Sequence, residues 1–348
     1  MRRGLLALLR GEIPETDAEP GALQPILDRH ECGGYLHAEW IRRGAATRLP
    51  PGWGEGLRRA HRKTTVDTLA ALAEFRRAGG HLTAEKIPFI VLKGGAYLIE
   101  LYPDAGARRL TDVDLLVRRA DAGRLARRLA REGYLGEVSP EYPEDRRFEM
   151  WFPVEAPCHI EFHWALERAA RARVDVAALW EQSAPALLEG VFCRRLARED
   201  AIVYHVLHAA DHYFGPSLKW TIDLREMLRQ WRPEPEPLLK KAAAWRGRTA
   251  LHLALLALDK LFPGEAPAAL LEGTRPGAVR RTLLERYTAA DPLLLLAAGS
   301  GSSHRYPLRC LMLDRPADAA RVAALFLARP AVRLARRAFL QPPWEWRD

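Results

Sequence analysis

The stretch FIVLKGGAYLIELYPDAGARRLTDVDLLV, residues 89 to 117, decides the fold. Phe89-Ile90-Val91-Leu92 is a short apolar run with two β-branched residues at its centre, the mark of a buried strand. Lys93-Gly94-Gly95 ends it, and an apolar segment at helical spacing runs on through Leu98 and Leu101. A second short strand then opens on Asp112-Val113-Asp114. Strand side chains alternate between faces, so Asp112 and Asp114 point one way while Val113, Leu115 and Val117 point into the core. Two carboxylates side by side repel each other unless a divalent cation or a shared proton offsets the charge. Two glycines at a helix start let a ligand approach the backbone closely. The free N–H groups of the first turn then favour an anion such as phosphate.

Outward from this stretch the pattern changes twice. Residues 1–86 read as helices: Leu5, Leu6, Leu8 and Leu9 begin one, and Pro50-Pro51-Gly52 separates it from a long one. In the long helix Val66, Leu69, Leu72 and Phe75 recur every three residues, which predicts one apolar stripe, and Gly79-Gly80 is expected to interrupt or end it. Residues 87–198 are mixed. A helix is predicted over 118–132 with Gly133 as its stop, and strands over Phe148–Val154, Cys158–Trp164 and near Val191–Leu196. In the second of these strands Ile160, Phe162 and Trp164 share one face, and His159, Glu161 and His163 share the other. That split predicts one face in the core and one lining a cleft or solvent. Residues 199–348 return to helix, with stripes at Ile202, Val206, Ala209 and Tyr213 and at Trp220, Leu224, Leu228 and Trp231. The expectation is an α+β chain: a small mixed β-sheet core at 87–198, flanked by an N-terminal helical region at 1–86 and a C-terminal helical domain at 199–348.

The chain has 348 residues and is 48% hydrophobic, enough for a sizeable core. Its formal charge is +9, but only seven of its 53 basic residues are Lys and the Arg are spread over many helices beside Ala and Leu. A basic surface of this kind attracts phosphates non-specifically, so nucleic acid carries low weight as a partner. The four cysteines form no C-x-x-C pair, which argues against a metal cluster or disulfide framework and fits a reducing cytoplasm. The apolar runs ending at Arg10 and covering Leu293 to Ala298 are too short to span a membrane, so a cytoplasmic protein with no membrane partner is expected.

Taken together, Gly94-Gly95, the Asp112-x-Asp114 pair and Glu161 resemble the pattern of the nucleotidyltransferase superfamily that includes DNA polymerase β and the kanamycin-type aminoglycoside nucleotidyltransferases. More narrowly, several segments resemble the uncharacterised bacterial nucleotidyltransferases called NTP_transf_5. They are Val91-Leu-Lys-Gly-Gly95, Leu101-Tyr-Pro103, Arg109-Leu-Thr-Asp-Val-Asp-Leu-Leu-Val117, Ile160-Glu-Phe-His-Trp164 and the later His208, His212, Trp220 and Asp223. The resemblance implies a nucleotidyltransferase-like core and two-metal phosphoryl chemistry. Asp112, Asp114 and Glu161 would hold Mg²⁺ (or Mn²⁺), with Glu161 alternatively the general base. Gly94 and Gly95 would cradle the phosphates of an NTP, ATP being the expected one, and Lys93, Arg108 or Arg109 would neutralise developing charge. An NMP group would pass to an unknown hydroxyl acceptor (small molecule, peptide or protein) with release of pyrophosphate. Gly95 departs from the Ser that many superfamily members carry, so no hydroxyl contact to phosphate is available there.

His205, His208 and His212 lie along one helical face beside Asp211. They admit three readings: packing histidines, a His/Asp metal site of a phosphohydrolase, or, with Lys219 and Asp223, a helical lid contacting nucleotide or acceptor. A catalytically silent nucleotide-binding or scaffold protein of the same fold is the remaining alternative. Lys93 reads equally well as a surface lysine, and one of Arg108 and Arg109 as a partner of the acids in a structural salt bridge.

Overall fold

The structure is a computed structural model that describes residues 2–138, 148–153, 158–166, 172–212, 214–215, 217–289 and 305–324. Among these, seven strands form one mixed sheet: β1 (Phe89–Val91), β2 (Asp112–Val117), β3 (Tyr134–Val138), β4 (Phe148–Pro153), β5 (His159–His163), β6 (Ala184–Leu188) and β7 (Val191–Arg195). Their spatial order is β3-β4-β5-β2-β1-β7-β6. β2 runs antiparallel to β1 and parallel to β5, and β1 runs parallel to β7. The fold is therefore α+β with a mixed sheet, as the sequence predicts.

Helices from both ends of the chain enclose this sheet. The N-terminal ones are α1 (Arg2–Arg10), α2 (Pro20–His30), α3 (Gly33–Arg42) and α4 (Pro51–Ala84). Within the mixed region lie α5 (Lys93–Glu100), α6 (Arg119–Arg131) and α7 (Val176–Gln182). Then come α8 (Arg198–Asp211), α9 (Lys219–Trp231), α10 (Pro235–Ala244) and α11 (Arg248–Leu261), followed by α12 (Ala268–Thr274), α13 (Ala278–Ala289) and α14 (Arg305–Met312).

Each face of the sheet has its own core. Phe89, Val91, Val113, Leu115, Val117, Ile160 and Phe162 pack on Ala71, Leu72, Phe75 and Leu82 of α4 and on Leu125 and Leu129 of α6. On the other face Ile90, Leu92 and Leu116 join a larger core that draws Leu5, Leu27, Leu36 and Leu57 from the chain start and Ile202, Leu224, Leu251 and Leu258 from its far end. A strand covered on both faces reads as a continuous apolar run, which is why Leu116 is buried along with its neighbours. Burying each such side chain contributes about 1.5–3 kcal/mol. The polar residues at the start of β2 and along β5 share the Leu116 face.

Four local expectations change. The long helix runs unbroken through Gly79-Gly80 to Ala84. Its predicted stripe is only half right: Leu72 and Phe75 are buried while Val66 and Leu69 are exposed. A spacing of three lags the 3.6-residue turn and walks around the helix, and the buried line instead follows Thr68, Ala71, Leu72, Phe75, Ala78 and Leu82. β3 and β6 were not predicted. Both are edge strands, β3 carrying Gly136 and β6 carrying Pro185, which an edge tolerates because it needs no donor on its free side. Tyr213, residue 154, the 293–298 run and the Gly299–Ser303 break lie outside the described residues. No helix among the described residues is long and apolar enough to cross a membrane.

Candidate active site

Strand register builds the site. β2 and β5 are parallel and aligned, with Asp112 opposite His159, Asp114 opposite Glu161 and Leu116 opposite His163. Opposed residues of neighbouring strands point to the same face. Five polar side chains therefore converge on one face: Asp112, Asp114, His159, Glu161 and His163. Ligand atoms of Asp112, His159 and Glu161 lie within 4.8 Å of one another, and so do those of Asp114, Glu161 and His163. Glu161 belongs to both groups. Ile160 and Phe162, buried on the opposite face, hold β5 in this orientation.

Lys93 is not a surface lysine. It is buried, and its Nζ lies 2.6 Å from Asp114 Oδ1. His163 Nε2 reaches the same oxygen at 2.8 Å. The backbone of Lys93 is left-handed, φ +44°, a conformation that costs a non-glycine residue energy and persists only when its surroundings enforce it. Burial opposes the charge on Lys93, but Asp114 outweighs it and raises the Lys93 pKa above its ordinary value. The ammonium is thus a built-in cation of the acidic face.

The remaining groups are tuned by the same contacts. Burial alone would raise the Glu161 carboxyl; hydrogen bonds from His159 and His163 outweigh it and hold the group well below the usual carboxylate range. The hydrogen bond to Glu161 raises His159 above its ordinary value. Burial disfavours a charged His163 ring, yet its bonds to Asp114 and Glu161 prevail and raise it too.

Gly94 and Gly95 lie in the first turn of α5 and are buried. Their missing side chains serve packing. A Cβ on Gly94 would come within 2.7 Å of Arg108 Nη1 and 2.8 Å of Leu110 Cδ1, and one on Gly95 within 2.8 Å of Val91 Cγ1. What the turn offers a ligand is its backbone N–H groups, directed along the helix axis beside Lys93.

Neither arginine of the 108–109 pair touches Asp112 or Asp114 in an ion pair. Arg108 is buried and bound to Asp223, Nη2 to Oδ2 at 2.8 Å and Nε to Oδ1 at 3.3 Å, with Tyr102 Oη donating to Oδ1 at 2.8 Å. Arg109 Nε donates to Asp67 at 2.8 Å, and its Nη1 lies 3.8 Å from Glu31. Asp223, expected as a lid or acceptor contact, is fully buried in the Arg108 network. Its carboxylate is bonded to Arg108 and Tyr102.

The histidine face of α8 divides. His205 is buried; its Nε2 donates to the Trp220 carbonyl at 2.8 Å and its Nδ1 accepts from Tyr97 Oη at 2.9 Å. Asp211 is engaged by Arg309. His208 and His212 form a ring cluster with Trp220: the two imidazoles lie 4.7 Å apart, and His212 stacks on Trp220 with centroids 5.8 Å apart. Burial lowers the His208 pKa first and the Lys93 charge next. Lys219 Nζ pairs with Glu31 at 2.7 Å. Among the described residues, His208, Asp211 and His212 do not form a group of three metal-ligating side chains.

Three carboxylates thus stand on one face of the sheet beside the start of a glycine-containing helix. The chain belongs to the family of uncharacterised nucleotidyltransferases, whose model matches residues 16–263. Among solved structures it is similar to the crystal structure of ANT(2")-Ia in complex with adenylyl-2"-tobramycin. That match is at 18% identity over 51% of this chain and 97% of that one, with a TM-score of 0.38. It is also similar to the solution structure of the antibiotic-resistance factor ANT(2'')-Ia, at 13% identity over 51% of this chain and 91% of that one, TM-score 0.36. No curated protein matches the chain.

Proposed function

We propose that the protein transfers a nucleotidyl group from an NTP, ATP first among them, to a hydroxyl acceptor and releases pyrophosphate. The observation that carries this reading is the aligned β2–β5 pair, which sets Asp112, Asp114 and Glu161 on one face beside the first turn of α5. Family membership supports the same chemistry.

The donor set fits a divalent cation. Three carboxylates are gathered with ligand atoms at close range, and the one lysine beside them offsets a single negative charge. Asp112, Asp114 and Glu161 would hold the ion, which when bound neutralises triphosphate charge and makes an acceptor hydroxyl more acidic. The N–H groups of Gly94 and Gly95 would bind phosphate oxygens, and Lys93 would keep a positive charge next to them. Arg108, tied to Asp223, would act through the position of α5 rather than by touching phosphate. His208, His212 and Trp220 would form the opposite wall, where a nucleotide or acceptor is bound.

Incubation with each α-³²P-labelled NTP, a divalent cation and a metabolite pool or lysate tests this. Label should appear on an acceptor and vanish in the Asp112→Asn/Asp114→Asn double variant. Label that survives the double change would remove these residues from the chemistry. Its absence from both proteins would favour a silent nucleotide-binding member of the family.

A further inference from the structure

We infer that this site takes a first-row transition dication in preference to Mg²⁺, with His159 and His163 as ligands through their Nε2 atoms. The inference rests on the cation role proposed above for Asp112, Asp114 and Glu161.

Both imidazoles direct Nε2 at the carboxylates, and the proton each donates there would pass to solvent as the ion binds. His159 Nε2 lies 3.5 Å from Glu161 Oε1. His163 Nε2 lies 3.4 Å from Glu161 Oε2 and 2.8 Å from Asp114 Oδ1. The two candidate groups each contain one histidine nitrogen and two carboxylates, with all ligand atoms within 4.8 Å. Ligand bonds of about 2.0–2.2 Å place atoms on opposite sides of an ion roughly 4 Å apart, so the side chains need to move little to close on one.

The strand also holds these rings in place. β5 is hydrogen-bonded on both sides, to β2 and to β4, and its alternate residues Ile160 and Phe162 are buried in the opposite core. The histidines cannot leave the acidic face without turning those two residues out of it. A rigid strand that offers nitrogen, oxygen, nitrogen in succession is a mixed donor set by construction.

Donor type sets metal preference. Mg²⁺ favours an all-oxygen octahedron and keeps several waters. Imidazole suits d-block dications, and affinity for a nitrogen-containing site rises from Mn²⁺ to a maximum at Cu²⁺, with Zn²⁺ below that maximum but above Mn²⁺. A site of carboxylates alone would not exclude Mg²⁺ in this way. The competing role for the two histidines is to hydrogen-bond the carboxylates from outside the coordination sphere, and it predicts an all-oxygen site.

Mn²⁺ is the probe that separates the two. Electron spin-echo envelope modulation of the Mn²⁺-loaded protein should show directly coordinated ¹⁴N, weakened in His159→Gln and lost in His159→Gln/His163→Gln. Calorimetry should give Mn²⁺ tighter binding than Mg²⁺ by on the order of tenfold, with Zn²⁺ tighter still. The parent spectrum needs no variant, and His159 is only half-buried, so a folding failure of the His163 variant does not decide the matter. Bound Mn²⁺ without ¹⁴N coupling, or equal affinities for Mn²⁺ and Mg²⁺, overturns the inference. If Asp112→Asn abolishes binding in that all-oxygen case, the carboxylate site stands and only the histidine ligands fall. If Asp112→Asn leaves Mn²⁺ bound, the proposed site falls with them.

Discussion

Arg108–Asp223 and Lys93–Asp114 are both buried cation–carboxylate pairs, with side chains 10% and 0% exposed in the first and 9% and 5% in the second. Their surroundings make them different devices. In the first, donors from Arg108 and Tyr102 satisfy both Asp223 oxygens, and among the described residues no further acid is hydrogen-bonded into the network. It is closed, and it ties α9 to the segment leading into β2. In the second, Lys93 and His163 crowd one oxygen of Asp114 while Glu161 and Asp112 add charge nearby. Its three carboxylates stand beside one lysine and two histidines, so the cation role proposed above would fall here. Burial of an ion pair says little by itself about its purpose, because desolvation can cancel the attraction. The balance of the neighbouring charges tells a seal from a site.

The comparison breaks first at the closed pair. Asp223→Ala leaves a buried guanidinium unpaired and should cost about 3–5 kcal/mol of unfolding free energy in a denaturant titration. A loss below about 1 kcal/mol would mean the network does not hold α9 in place. Next comes the open site. Asp112→Asn should lower nucleotidyl transfer by about 10²–10³-fold, the size of a lost electrostatic contact to the transition state. Because Asp112 is half-buried, its denaturation midpoint should barely move. A large stability loss with transfer intact would reverse the two assignments.

His205 is bonded to Tyr97, whose ring lies against Arg108, and burial lowers its pKa below the ordinary 6.5. Below pH 6.5 the unfolded chain takes a proton that the folded ring refuses. Stability is therefore present above that value and lost as pH falls, by up to about 1.4 kcal/mol per pH unit until the folded ring also titrates. His205→Gln should flatten that part of the stability–pH curve relative to the parent; parallel curves would assign the acid loss to other groups. The smallest effect belongs to Arg109→Gln. Its pair with Asp67 is a third exposed on each side, and its removal should change stability by about 0–1 kcal/mol. A larger cost would show that exposure does not separate Arg109 from its neighbour.

These two adjacent arginines also mark where sequence reading ends. β1, the start of α5 and the span of β2 were legible, because an apolar run, a glycine pair and period-two alternation are local signals. The polar face of His159, Glu161 and His163 was legible for the same reason. That this face lies beside Asp112 and Asp114 was not, since nothing in either strand's own pattern specifies its neighbour in the sheet. The fate of Arg108 depends on Asp223, more than a hundred positions away, and Lys93 was ambiguous until Asp114 was placed against it. The edge strands β3 and β6 were missed because one exposed side weakens the hydrophobic pattern and admits Gly136 and Pro185.

The turn between α8 and α9 is tied to the end of α2 at three points. The His30 carbonyl accepts from Leu218 N–H and Ser217 Oγ, and Lys219 pairs with Glu31. The start of α9, which carries Trp220, is thus spliced to a segment nearly two hundred residues away. While these bonds hold, the start of α9 cannot shift on a single hinge: the end of α2 must move with it, so any displacement there belongs to both ends of the chain together.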